Sequence, residues 1–203
     1  AVEDKRFHEH DGVDYRRVVG AAIADIKARG FVQGFSTITM QLARNVWPDR
    51  LPGRDRTVRR KVLEIRVARD IEDRYDKDEI LQLYLNHIYF GGGAYGIEAA
   101  SRNYFNRSAA DLTLAEAALL AALPKSPTLY NPRRFAERAR ARRNLVLTLM
   151  AQQGRITAEE AEQASSARLA VRGEPPARRG SSTQIAPYFV EVTRRILEDH
   201  FGE

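Results

Sequence analysis

Apolar residues recur along most of the chain at the three- and four-residue spacing of amphipathic helices, which predicts a mainly α fold. One apolar stripe starts at Val18 and stops before Gly30, where a helix is expected to end. A Thr or Asp followed three residues later by Glu is the capping-box pattern that begins a helix. Together these signals predict helices over 80–88, 114–123 and 134–153, and a short helix after Thr157.

Another predicted helix, over 58–71, carries apolar residues on two sides and is therefore expected to lie centrally in its domain. The two apolar sides are formed by Val58, Val62 and Ile65 and by Leu63, Val67 and Ile71. One flank between these sides is the expected solvent face and contains Arg59, Arg66 and Asp70. The opposite flank contains Arg60, Lys61 and Glu64, followed by the small Ala68.

The flank with Arg60, Lys61 and Glu64 has two interpretations. The simpler one is a pair of ordinary helix ion pairs, in which Glu64 lies four residues after Arg60 and three after Lys61. The functional one is a cleft wall that presents two cations and a carboxylate to an anionic ligand. The spacing alone leaves both interpretations open.

Few segments have the alternation of a strand. Short strands are conceivable around Phe31–Phe35 and Leu169–Arg172, and the glycine cluster at 91–96 is expected to be a loop. Residues 172–184 are rich in Pro, Gly, Ser and Arg, which is typical of a linker, and 188–201 form a predicted amphipathic helix. We therefore predict one domain over residues 1–171 and a linker region over 172–203.

The composition is that of a soluble globular protein. The chain has 203 residues, 43% of them hydrophobic and 30% charged, and contains no apolar run long enough to cross a membrane. It has no cysteine, which excludes disulfides and thiolate chemistry. The net charge of +6 favours an anionic partner. The first residue is Ala1, and we expect the chain to be an N-terminally truncated piece of a longer, anchored protein.

Polar residues near the N-terminus are candidates for chemistry, although each has a simpler interpretation. Glu3 and Asp4 can be solvated acids or charges at a helix N-terminus. His8 and His10 are weak evidence for a metal site, and His10 is more typical of a structural hydrogen bond. The segment 36–45 begins with hydroxyl residues, as a capped helix does, and such a helix start can also bind phosphate.

Five motifs in a fixed order change this picture. The first, E-D-x-x-F-x-x-H-x-G, lies at 3–12; the second, G-x-S-T-I-T-x-Q-L-x-R-N, at 34–45; and the third, R-K-x-x-E, at 60–64. The fourth, K-x-x-I-L-x-x-Y-L-N, lies at 77–86, and a fifth region begins at Tyr104 and ends in the proline-rich stretch to Pro132. In these motifs the chain resembles the family 51 peptidoglycan glycosyltransferases, the transglycosylase domains of bifunctional class A penicillin-binding proteins.

The resemblance implies a reaction and a set of site residues. The expected activity is polymerisation of lipid II into β-1,4 glycan strands, with inversion and release of undecaprenyl pyrophosphate. Glu3 matches the family's proposed base and Glu64 its second essential carboxylate, which is also a candidate metal ligand for an expected Mg²⁺ or Mn²⁺ ion. Residues implied to bind the substrate and its pyrophosphate are Phe7, His10, Ser36, Thr37, Gln41, Arg44, Asn45, Arg60 and Lys61.

The resemblance also implies an architecture and a location. The expected fold is a lysozyme-like helical domain with a smaller membrane-facing jaw, for which 13–35 is the candidate segment. The domain is expected on the periplasmic face of the bacterial inner membrane, with 185–203 beginning the connection to a transpeptidase domain absent from this chain. Expected partners are lipid II, the growing glycan, the bacterial membrane and a moenomycin-type inhibitor, with no nucleic acid.

Some positions depart from the family's commonest residues. Met40 stands where the first Gln of a Gln pair is usual, and Phe35 stands where Gly or Ala is common. Arg44 replaces a frequent Lys, and Asn106 replaces a Gly. None of these changes removes a charged group, so they concern fine specificity rather than the class of activity.

Two rival functions remain at the level of sequence. A lysozyme-like lytic enzyme would cut the same polymer with one Glu, but it would not need Arg44, Arg60 and Lys61 arranged for a pyrophosphate. A basic, helical nucleic-acid-binding domain would account for the net charge of +6. Against it, acidic residues are interspersed with the basic ones throughout 54–74, and no helix-turn-helix pattern is present.

Overall fold

A computed structural model describes residues 2–28, 34–52 and 57–173, with the side chains of 22–28 left aside. Over these ranges the chain is mainly α, as the sequence predicts. The helices are α1 (Tyr15–Ala28), α2 (Ile38–Val46), α3 (Val58–Glu72), α4 (Lys77–His87), α5 (Ile97–Phe105), α6 (Leu114–Ala122), α7 (Ala136–Gln152) and α8 (Ala158–Ser166). In these described ranges, every helix falls short of the length and apolar character needed to cross a bilayer.

The chain divides into two compact units. In its described part, the first unit contains residues 2–3 and 85–173, and the second contains 4–28, 34–52 and 57–84. Residues 29–33 of the predicted jaw segment, with Phe31 and Val32, lie outside the described residues, as does the predicted helix over 188–201. The division into a domain over 1–171 and a linker region after it stays a prediction.

The core of the first unit is built from small residues on three helices. Alanines on α6 and α8 pack with two larger apolar residues of α7, so these helices approach one another closely. The cluster consists of Ala115, Ala118, Ala122, Val146, Leu147 and Ala164. The alanine-rich apolar run in the sequence therefore forms the inner face of α6.

The core of the second unit forms where α2 packs against α3. Met40 on α2 contacts Ala68 on α3, and Val13 completes the buried cluster. Gly12 approaches the α3 backbone so closely that an added Cβ would lie 3.1 Å from the carbonyl carbon of Ala68. The Thr37 hydroxyl donates to the Gly12 carbonyl at 2.7 Å, which connects the N-terminal segment to the start of α2.

The helix starts agree with the capping signals in the sequence. Thr113 and Thr157 form complete capping boxes at α6 and α8, and their hydroxyls accept from the backbone N–H three residues on. Asp76 and Glu79 exchange the same reciprocal bonds at α4. Gly154 follows α7 with a φ of 65°, which confirms the predicted end of that helix.

Three predictions about local structure are wrong. Part of the glycine cluster is a β-hairpin, in which β1 (Tyr89–Gly91) pairs antiparallel with β2 (Ala94–Tyr95). Glycines at positive φ make its tight turn, and the rings of Tyr89 and Tyr95 pack with centroids 4.7 Å apart. The candidate strand at 169–172 is extended but unpaired in any sheet of the described chain. Residues 31–33 of the other candidate strand lie outside the described residues, so that candidate stays a prediction; Gly34 and Phe35, at its end, are not in a strand.

The third error concerns α3, where one of the two apolar sides is only partly buried, with Ile65 packed against the core cluster. Val67 and Ile71 belong to the core, whereas Val58 and Val62 are 81% and 60% exposed. Periodicity identifies which residues share a side, but it does not reveal whether anything packs on that side. The polar flank with Arg59 and Arg66 is exposed, as expected.

Two arginines hold the extended segment that follows α8. The buried Arg143 of α7 donates to the carbonyl oxygens of Ser165 and Ala167, the latter at 2.8 Å. Arg133 donates to the carbonyl of Arg172 at 2.8 Å and to that of Asn103 on α5 at 2.6 Å. These bonds fix the path of residues 165–172.

Gly96, which precedes α5, offers a test of the hairpin geometry. Its φ is 83°, and a Cβ there would lie 2.5 Å from the carbonyl oxygen of Asn86. We expect Gly96→Ala to lower the free energy of unfolding by at least about 2 kcal/mol, from strain plus the clash. Gly93→Ala is the matched control, because Gly93 has a φ of 78° with open space around it, and it should cost about 1 kcal/mol. Equal losses for the two variants in urea denaturation would contradict this account.

Candidate active site

The centre of the candidate site is a carboxylate removed from water and surrounded by cations. Glu64 on α3 is fully buried. Its Oε1 accepts from Arg44 Nη1 at 3.1 Å and from Arg60 Nη1, and its Oε2 accepts from Lys61 Nζ at 2.9 Å. A buried carboxylate is costly unless it is paired and hydrogen-bonded, and here three cations meet that requirement.

Two helices bring these side chains together. Arg60 and Lys61 lie one turn before Glu64 on α3, so the helical repeat places them on the same flank. Arg44 comes from the last turn of α2, which packs against α3 through Met40 and Ala68. The simple ion-pair interpretation of the sequence therefore describes two of the contacts, whereas Arg44 is a third cation that α3 alone does not supply.

The cluster carries more positive than negative charge. Three cations and one carboxylate leave two positive charges uncompensated within it. The side chains of Arg44, Arg60 and Lys61 keep 24%, 14% and 18% of their surface exposed, whereas Glu64 has none. The buried carboxylate thus orients the three cations from their protein-facing side. Their accessible parts form a surface suited to an anion.

Lys61 has the most varied surroundings of the three cations. Besides its bond to Glu64, its Nζ donates to Ser36 Oγ at 2.7 Å and lies 3.3 Å from Met40 Sδ. The ammonium also lies 4.4 Å from the ring centroid of Phe35. Burial lowers the pKa of Lys61 below its usual 10.5; Glu64 opposes this shift, and the charges of Arg44 and Arg60 add to it.

The surroundings of Glu64 do not fit a divalent metal. Both of its oxygens accept from cationic side chains, and an added Mg²⁺ or Mn²⁺ would face the repulsion of Arg44, Arg60 and Lys61. The described residues also contain no group of three or more His, Cys, Asp or Glu placed to hold a metal. We therefore assign Glu64 to the orientation of cations rather than to metal binding.

The first motif forms a buried network at the start of α2. The Asp4 carboxylate accepts from the Ile38 backbone N–H at 3.1 Å and contacts His10 Nε2 at 3.0 Å. Asp4 thus acts as a charge at a helix N-terminus, one of the two simple interpretations of the sequence, and it is buried rather than solvated. Phe7 is buried too, with the Lys77 ammonium 4.7 Å from its ring centroid.

The other predicted residues of the second motif differ in position. Thr37 is fully buried and caps α2, accepting from the Met40 N–H at 3.2 Å, so its hydroxyl is engaged within the protein. Gln41 is half-buried and accepts from the Tyr84 hydroxyl at 3.2 Å. Asn45 is exposed near the end of α2. The side chain of Ser36 contacts the cation cluster directly, through Lys61.

Glu3 belongs to the other compact unit, where one charged partner comes from α7. Arg142 Nη2 lies 3.7 Å from Glu3 Oε1, and the guanidinium lies 5.7 Å from the ring centroid of Tyr130. The sequence did not lead us to Arg142, because α7 is rich in arginine and nothing local distinguishes this one. Position 142 faces inward with a side chain only 10% exposed, and that is the signal that the structure adds.

The pairing of Glu64 can be tested by removing its charge. We expect Glu64→Gln to lower the free energy of unfolding by about 3 kcal/mol, because three clustered cations lose their carboxylate. Glu137→Gln is the matched control, since Glu137 is exposed and lies 3.9 Å from Arg140; its cost should be below about 0.5 kcal/mol. Chemical denaturation measures both values, and a Glu64→Gln variant as stable as the control would show that the cluster is not a stabilising unit.

The lowered pKa of Lys61 predicts a pH dependence of stability. The unfolded chain holds this proton up to about pH 10.5, whereas the folded chain releases it at lower pH. Because the unfolded state then binds more protons, stability gains a contribution that rises with pH between these two values. We expect Lys61→Met to abolish this rise in denaturation series between pH 8 and 10.5, and exposed Lys125→Met to retain it. The same slope in parent and Lys61→Met would contradict the assignment.

Known proteins are similar to this chain over its whole length. The sequence model of the family described as transglycosylase matches residues 1–151. Penicillin-binding protein 1A of Aquifex aeolicus is 44% identical over 203 residues, covering 100% of this chain and 27% of that protein. Penicillin-binding protein 2D of Bacillus subtilis is 44% identical over 202 residues, again covering 100% of this chain and 28% of that protein. The chain thus spans about a quarter of the length of these relatives.

A crystal structure of penicillin-binding protein 1A from Haemophilus influenzae is 37% identical and covers 64% of this chain and 18% of that one, with a TM-score of 0.46. The family match extends over the first, second and third motifs and therefore over Glu3 and the whole cation cluster around Glu64. The resemblance seen in the motifs is confirmed by this match: the chain belongs to the transglycosylase family, the peptidoglycan glycosyltransferases of class A penicillin-binding proteins.

Proposed function

We propose that this chain polymerises lipid II into β-1,4 glycan strands, with the growing strand as donor and lipid II as acceptor. The observation that carries the proposal is the convergence of Arg44, Arg60 and Lys61 on the buried Glu64. A cluster with an excess of positive charge and accessible cations is suited to a leaving group that carries several negative charges. The pyrophosphate of a lipid-linked donor is such a group.

Glu3 is the proposed base. Its carboxylate removes the proton from the acceptor sugar's 4-hydroxyl while that oxygen attacks the anomeric carbon of the donor and the bond to pyrophosphate breaks. Attack from the face opposite the leaving group inverts the anomeric centre. The Arg142 guanidinium lies 3.7 Å from this carboxylate and is positioned to hold its orientation.

The three cations stabilise the pyrophosphate leaving group. As the anomeric bond breaks, negative charge grows on the pyrophosphate oxygens, and Arg44, Arg60 and Lys61 are already oriented by Glu64 before the substrate arrives. Such preorganised charge stabilises the transition state without reorganisation during the reaction. Glu64 is therefore a positioning residue in this proposal, and an Mg²⁺ or Mn²⁺ ion would be carried by the pyrophosphate rather than by Glu64.

The proposal gives the remaining motif residues one of two roles, support of the framework or contact with the substrate. Thr37, Phe7 and His10 support the framework, since all three make contacts within the protein. Ser36, Gln41 and Asn45 are the proposed contacts to sugar or phosphate, because their side chains are half-buried or exposed around α2.

The rival functions fit these contacts less well. A lytic enzyme needs one proton-donating carboxyl group and no set of cations for a pyrophosphate, so the cluster around Glu64 would have no role in it. A nucleic-acid-binding domain needs a continuous basic surface, whereas Arg44, Arg60 and Lys61 are drawn together by one carboxylate in a partly buried site.

The cellular setting follows from the proposed substrate. Lipid II is a membrane lipid, so we place the chain at the extracytoplasmic face of the bacterial inner membrane. We further propose that in the complete protein a transpeptidase domain follows this chain, and that a moenomycin-type inhibitor competes for the cation cluster.

The deciding experiment is glycan polymerisation from lipid II in detergent. We expect Glu3→Gln to reduce the rate by at least about 100-fold, because the acceptor hydroxyl loses its base. Glu9→Gln removes an exposed carboxylate from the neighbouring segment and should leave the rate unchanged. No polymer from a folded parent chain, or an undiminished rate in Glu3→Gln, would refute the proposal or its base.

A further inference from the structure

The ammonium group of Lys61 has an uneven set of partners. Within the described part of the chain, two of these partners are strong acceptors, Glu64 Oε2 at 2.9 Å and Ser36 Oγ at 2.7 Å. The other two are soft: Met40 Sδ at 3.3 Å and the face of the Phe35 ring, whose centroid is 4.4 Å away. The same cation is thus firmly bonded on one side and weakly bonded on the other.

A lysine ammonium has three N–H donors, and this environment uses them unequally. Glu64 and Ser36 account for two strong hydrogen bonds. A thioether sulfur is a weak acceptor, so the third donor makes a bond that a better acceptor can replace at little cost. The Phe35 ring attracts the positive charge through its π face and occupies no donor with a strong hydrogen bond.

We propose that Phe35 and Met40 are positioning residues that keep the third N–H of Lys61 available for an oxygen of the substrate's diphosphate group. The inference rests on the proposed function, which supplies the diphosphate as the ligand of this cluster. In the complex, a diphosphate oxygen replaces the Met40 sulfur as the partner of that donor, while Glu64 and Ser36 retain theirs.

The replacement is favourable because the Lys61 ammonium has already lost most of its water in the free protein. The Lys61 side chain is only 18% exposed, so little water has to leave the ammonium when the ligand arrives. A charge-assisted bond to a phosphate oxygen is also much stronger than a bond to a thioether. The lowered pKa of Lys61 agrees with this view, because burial is its leading cause.

A glutamine at position 40 would change this arrangement. Its side-chain carbonyl is a strong acceptor and could hold the third N–H of Lys61, so a ligand would have to break that bond first. A leucine has nearly the volume of methionine but no acceptor, so it preserves the packing of residue 40 against Val13 and Ala68. The two substitutions therefore separate hydrogen bonding from packing.

The test uses inorganic pyrophosphate as the probe and isothermal titration calorimetry on the 203-residue chain. We expect Met40→Gln to weaken pyrophosphate binding about tenfold and Met40→Leu by no more than about twofold. Phe35→Leu should weaken it about threefold through the loss of the cation–π contact. In a Lys61→Met background, Met40→Gln should have no further effect, because the donor that it occupies is gone.

Melting temperatures of all variants are measured alongside, so that a folding defect is not mistaken for a binding effect. Equal affinities of Met40→Gln and Met40→Leu, or a Met40→Gln effect that persists without Lys61, would overturn the inference. If the parent chain polymerises lipid II while either result holds, the proposed function stands and only the inference fails. A folded parent that forms no polymer would instead remove the proposed function, and the inference with it.

Discussion

The second compact unit depends on one electrostatic constraint, the burial of the Glu64 carboxylate. A carboxylate without access to water must find its compensation within the protein, and here the compensation comes from both packed helices. Arg60 and Lys61 follow from the repeat of α3, but Arg44 requires α2 to lie alongside. The close contact of Met40 with Ala68 makes that approach feasible. Packing and charge thus both require α2 to lie beside α3.

A second buried carboxylate extends this arrangement to the N-terminal segment. Asp4 accepts from the first backbone N–H of α2 and holds His10, while Thr37 binds the Gly12 carbonyl. The segment 4–12 is therefore bonded to the start of the helix that delivers Arg44. The first three motifs depend on one another physically, since each supplies partners for polar groups of another.

Local signals predicted the helices well, and long-range contacts account for what the sequence missed. Thr113 and Thr157 could be recognised as caps because both partners lie within one turn. The hairpin at 89–95 was missed because glycines at positive φ suit a strand pairing as well as a loop. The exposure of Val58 and the inward position of Arg142 depend on neighbours that no periodicity specifies. The pairs of Arg60 and Lys61 with Glu64 were expected, but the bond from Arg44 to Glu64 and the contact of Met40 with Lys61 required coordinates.

The arginines that hold the segment after α8 have a mechanical consequence. Arg133 binds the Arg172 carbonyl and is anchored to Asn103 on α5, while Arg143 binds the carbonyls at the end of α8. A force applied to the chain after residue 173 therefore acts first on the hydrogen bond between Arg133 and Arg172, and through Arg133 on α5, before it acts on α8. A load on this segment is therefore shared with α5 and α7 and does not act on α8 alone.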